Sequence, residues 1–139
     1  MKTNRFLSGL LALGMTFSLM PSMTLAAGEV KIDETNFKDS AFRTLVGSFD
    51  EDGNGVLSQS EIDKVIQIDA SDKGIKDLSG IEFFTKLQVL CCQKNSISKL
   101  DLSKNTELNT LYAYENNLTY LDLTANTHIT APAVPSEPT

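Results

Sequence analysis

The chain has a single histidine, His128, and only two cysteines, Cys91 and Cys92, which are adjacent. Zinc needs about four spaced nitrogen or sulfur ligands, so this pair and one distant imidazole give zinc no support. A disulfide between neighbours would strain the backbone, and in a strand their side chains point to opposite faces. The expectation is therefore a small buried thiol at Cys92 and a surface thiol at Cys91. No serine or cysteine stands beside a base at a recognisable spacing, and an enzyme is not expected. Basic residues are also sparse, with 12 Lys and Arg against 18 Asp and Glu and a net charge of −6. Nucleic-acid partners, which call for clustered Lys and Arg, are disfavoured.

Two of those few basic residues, Lys2 and Arg5, precede an apolar run from Phe6 to Leu19. Pro21 breaks the run, and Thr24-Leu25-Ala26 leads into small residues. This order reads as a secretory signal peptide over residues 1–27, cut after Ala26 or Ala27. The run is short for a membrane span, so no transmembrane segment is expected in the mature chain. No cysteine follows it, which speaks against a lipid anchor. The predicted location is extracellular, secreted or at the cell surface. Setting aside Lys2 and Arg5 leaves ten basic residues against 18 acidic, a net charge of −8. The rest is the length of one small domain.

What the chain does have is oxygen. Over Asp50–Glu61, DEDGNGVLSQSE, acids or amides stand at Asp50, Asp52 and Asn54, with Ser58 and Glu61 further on. Gly55 falls where the chain must turn sharply, and Val56 needs to offer only its backbone carbonyl. Calcium, a hard cation, takes about six to eight oxygen ligands, and this spacing wraps them around one ion. Upstream, Phe42, Leu45, Val46 and Phe49 form one apolar helical stripe, with Thr35 or Asn36 placed to cap its start. Downstream, Ile62, Val65 and Ile66 continue that spacing on an exiting helix. The competing reading is a metal-free turn, because Asp, Asn and Gly favour turns and Ser58 with Glu61 forms a capping box.

The segment resembles the EF-hand family at every ligand position. The resemblance implies calcium held by Asp50, Asp52, Asn54, Val56, Ser58 and Glu61, within a helix-loop-helix unit over residues 28–66. EF-hands commonly pair through their loops, and here there is one loop, so Leu57 is expected to pack on the neighbouring repeat unit instead. A lone site implies weak binding, about 10⁻⁴–10⁻³ M as in extracellular modules, and a structural ion rather than a signalling one. The single loop also separates the chain from the dockerins, docking modules that carry two.

From Leu87 the chain nearly copies itself at 21 residues. LQVLCCQKNSISKLDLSKNTE is followed by LNTLYAYENNLTYLDLTANTH. Asn95, Asn105, Asn116 and Asn126 recur at half-steps, where their side chains can bond backbone groups at bends. Such periodicity means stacked units, each too small to bury its own apolar face. The pattern resembles the leucine-rich repeat family in its short bacterial form, with units at 87–107 and 108–128. A degraded copy spans 65–86, with Val65, Ile68, Ala70, Ile75 and Leu78 at equivalent places and Lys73 where the asparagine should be. With GIEFF (Gly80 to Phe84) at the junction, the chain is similar to exported bacterial proteins that join an EF-hand-like segment to such repeats.

The implied fold class is α+β, an EF-hand-like helix-loop-helix cap on a short leucine-rich repeat solenoid over residues 65–129. The strands would line a concave face exposing Val89, Cys91 and Gln93, then Thr110, Tyr112 and Tyr114. Those tyrosines are expected anchors for a protein or glycan partner, since Tyr joins a large contact area to a polar tip. Residues 130–139 hold Pro132, Pro135 and Pro138 and read as a tail or linker. The sheet edge is then expected to be open, and available for self-association.

Overall fold

The computed structural model describes residues 25–130, so most of the expected signal peptide and nearly all of the proline-bearing tail lie outside the described residues. Strand β1 (Val30–Lys31) pairs antiparallel with β2 (Val56–Leu57), in the register Val30↔Leu57 and Lys31↔Val56. Between them run α1 (Ser40–Val46), a 3-10 turn (Gly47–Phe49) and the acidic loop; α2 (Gln59–Lys64) comes directly after β2.

Two local expectations are corrected here. Thr35 and Asn36 do not cap α1. Asp39 does, its Oδ1 accepting from the Ala41 and Phe42 amides at 2.8 and 3.1 Å. Thr35 and Asn36 instead donate their amides to Asp33, in a turn before the helix. The exiting helix also stops early: Val65 is its C-cap and Ile66 lies outside, 51% exposed. Its carbonyl has joined the next structure, accepting from the Gln88 and Val89 amides at 2.8 and 3.1 Å. Strand pairing with the second repeat outweighs continued helical periodicity there.

The repeats then form a three-stranded parallel sheet of β3 (Gln67–Asp69), β4 (Val89–Cys91) and β5 (Thr110–Tyr112). Ile68, Leu90 and Leu111 stand in register and point inward, buried. Their neighbours on either side face out, as period-two alternation requires. From the second turn on, each turn of chain closes on an asparagine. Asn95 donates its amide to the carbonyls of Ala70 (2.7 Å) and Cys92 (3.0 Å), and its Oδ1 accepts from the Lys73 and Ile75 amides at 3.1 and 2.9 Å. Asn116 repeats this one turn on, donating to Cys92 and Ala113 and accepting from Ile97. On the opposite side, buried Asn105 donates to Ile81 and Phe84, and buried Asn126 to Leu102 and Asn105. The side chain stitches each turn to the one before it. Backbone groups that the narrow bends would leave bare are thereby paired.

One core runs through both parts. Its joint is aromatic. Phe37 packs against Phe42, Phe83 and Phe84 with ring centres 5.9, 5.8 and 6.3 Å apart, and Phe49 meets Phe84 at 5.8 Å. Gly80 makes the joint possible, since a Cβ there would lie 2.2 Å from the Phe37 ring. Asp39 adds a polar tie: its second oxygen accepts from the Lys76 amide at 2.9 Å. At the far end Leu118, Leu121, Leu123 and Ile129 are only partly buried, whereas Ile97, Leu100, Leu102 and Leu108 one turn earlier are buried. Among the described residues no further turn stacks on β5. No described helix is long and apolar enough to cross a membrane.

Candidate metal centre and interaction face

The acidic loop folds on itself through its own carboxylates. Asp50 accepts from the amides of Gly53 (2.8 Å) and Asn54 (3.3 Å) on one oxygen and from Gly55 (2.8 Å) on the other. Asp52 accepts from the Asn54 amide and side chain, and Asn54 Oδ1 accepts from Val56 at 2.7 Å. Gly53 and Gly55 take φ of +70° and +81°, the left-handed conformation that lets successive N–H groups converge.

Glu61 closes the ring from α2. One oxygen accepts from the Glu51 amide at 2.8 Å, the other from the Ser58 amide (2.8 Å) and hydroxyl (2.7 Å). The Ser58 hydroxyl in turn accepts from the Glu61 amide, completing the capping box. The Ser58 amide and hydroxyl, then the Glu51 amide, hold the Glu61 carboxyl down to about 2, so it is charged at neutral pH although 6% exposed. Oxygens of Asp50, Asp52 and Glu61 come within 4.8 Å of one another. Asn54 and Ser58 are bonded directly to members of that trio. The donor set is all oxygen and carries three acidic groups, which suits a hard divalent cation rather than zinc or copper.

The structure also shows what spacing left unread. Leu57 is fully buried, and its strand pairs with Val30–Lys31 in place of a second loop. The Ile32 amide donates to the Gly55 carbonyl at 3.0 Å, which extends that pairing into the loop. A two-residue strand so far from its partner leaves no local signal.

On the sheet, the register sets Gln67, Val89 and Thr110 in one row and Asp69, Cys91 and Tyr112 in the next. Tyr112 is exposed at 48%, but Val89, Cys91, Gln93, Thr110 and Tyr114 are half-buried, less open than alternation alone implies. Strands about 4.8 Å apart place equivalent side chains in contact, and each shades the next. Burial pushes both thiols up, Cys92 to about 12, so neither is a ready thiolate. Both are free.

A parallel ladder of three-residue strands, one per turn of about 21 residues, with inward leucines and an asparagine at each bend, defines a leucine-rich repeat protein. Internalin J of Listeria monocytogenes serotype 4b (strain F2365) is 35% identical over 84 residues, 60% of this chain and 9% of its own length. The solved functional domain of InlJ from Listeria monocytogenes, which includes a cysteine ladder, is 34% identical. It superposes with a TM-score of 0.66 over 76% of this chain and 24% of that one. An internalin (InlF) from Listeria monocytogenes shares the fold at a TM-score of 0.67 and 24% identity, over 76% of this chain and 32% of that one. No family model matches. The chain is thus similar to the Listeria internalins while spanning a small part of their length. It does not repeat a cysteine ladder in the described residues: Ala70 and Ala113 flank Cys92, and Asp69 and Tyr112 flank Cys91.

Proposed function

We propose that this protein is an exported interaction module whose concave sheet face engages a protein or glycan, with calcium steadying the N-terminal helix-loop-helix. The observation that carries the reading is the outward face of β3–β5. Its alternate residues contribute nothing to the core, and it presents Tyr112 beside half-buried Tyr114. Similarity to internalins supports an interaction role over catalysis. Export rests on the N-terminal sequence alone.

The calcium reading rests on Asp50, Asp52 and Glu61, with Asn54, Ser58 and the Val56 carbonyl completing the set. Bound there, the ion would neutralise clustered carboxylates and tie the entry and exit of the loop together. At ten times its dissociation constant, linkage adds about 1.4 kcal/mol. Thermal melts with millimolar calcium and with chelator test this. The expected result is a calcium-dependent rise in midpoint that Asp50→Ala abolishes; identical melts in both buffers would remove calcium from the account. For the face, capture of a partner should weaken in Tyr112→Ala and Tyr114→Ala. Undiminished capture would place the interface elsewhere.

A further inference from the structure

We propose that the concave face takes a cationic side chain, a lysine or arginine of a partner protein, along the row Asp69–Cys91–Tyr112. This deepens the reading of that face as an interface and rests on it. Across positions 67–71, 89–93 and 110–114 the outward residues include no Lys, Arg or His and one acid, Asp69. Lys73 at the bend acts on this carboxylate as a counter-charge; on the face itself an anionic segment would meet only the acid, and a cationic one its complement.

The row itself is graded. Asp69, on β3, is exposed and ionised, its carboxyl held below the ordinary range by the Ser71 hydroxyl and amide. Cys91, in the middle, is a half-buried neutral thiol, which behaves as a small apolar group. Tyr112, on β5, offers an aromatic ring 48% exposed. Three adjacent strands put Asp69 and Tyr112 about 10 Å apart. With its head group on Asp69, the aliphatic stem of a lysine or arginine lies over the thiol and reaches toward the ring. The rim at the bend does not reverse the sign, because Asp72, Lys73, Lys94 and Glu115 there sum to no net charge.

The test is a titration of the isotope-labelled whole chain with the peptide acetyl-Arg-Ala-Arg-amide, read by amide chemical shifts, beside a second titration with chitotriose. The expected result is peptide-induced shifts confined to 67–71, 89–93 and 110–114. Asp69→Asn should bind about threefold to fivefold more weakly, the size of a surface charge pair. Asp69→Glu should keep most of the affinity. Asp122→Asn, an exposed acid outside this face, should change nothing. Shifts spread evenly over the chain's acids, no shifts at all, or full affinity in Asp69→Asn would overturn the proposal. A response of Tyr112 and Tyr114 to the sugar but not the peptide would also overturn it, and would leave the interface reading standing.

Discussion

Replacing Gly80 by alanine should strongly destabilise this protein, because two independent penalties meet at one atom. Gly80 has φ of +106°, a region that residues with a Cβ avoid at about 1–2 kcal/mol or more. The added Cβ would stand 2.2 and 2.6 Å from two atoms of the Phe37 ring and 2.7 Å from the Asn36 carbonyl oxygen. The carbonyl is backbone, and the ring is fully buried among three other phenylalanines, so neither can swing aside. Overpacking of this kind costs about 1–3 kcal/mol. Together the loss is about 3–5 kcal/mol, a large share of the roughly 5–15 kcal/mol that a small domain has. Urea unfolding followed by circular dichroism measures it. Gly74→Ala supplies the control, since its φ is +67° but no atom lies within 4 Å of the added methyl. It should lose only the backbone part, about 1 kcal/mol. Equal losses in the two variants, or a Gly80→Ala midpoint within error of wild type, would refute the steric argument and the tight joint it describes.

Other outcomes come from the same contacts. Asn105→Ala takes the side-chain donor from the Ile81 and Phe84 carbonyls, which keep the Phe84 and Leu87 amides, and urea unfolding should show a loss of about 1–3 kcal/mol. Acid should act through Glu61, whose carboxyl falls from an ordinary 4.5 to about 2 on folding. Its stabilising contribution is complete above pH 4.5 and disappears as pH drops toward 2, so Glu61→Gln should flatten that part of a stability-against-pH curve. A thiol reagent at neutral pH should modify Cys91 slowly and Cys92 only on unfolding, because Cys92 is wholly buried with its thiol raised to about 12. Mass spectrometry finding Cys92 labelled at the rate of Cys91 in the folded chain would contradict that burial.

Much of this protein is written in local spacing. Leucines and asparagines recurring every 21 residues dictate stacked turns, since neither an inward Leu90 nor a bend carbonyl can be satisfied without the next unit. Likewise Asp50, Asp52 and Glu61 are near enough in sequence for glycine-bearing turn chemistry and one capping box to assemble them. What no period announces are contacts between distant segments. That Asp39 rather than Thr35 caps α1 reflects its second oxygen reaching Lys76. That α2 ends before Val65 reflects the Gln88 and Val89 amides claiming the Ile66 carbonyl. Val30 became a strand only because Leu57 was there to pair with it, and Gly80 became indispensable only because Phe37 came to rest on it. Repetition constrains each residue through neighbours that resemble it, so sequence suffices to read the ladder. The joint between cap and ladder is a single meeting of unlike surfaces, and its partners are known only once the chain has folded.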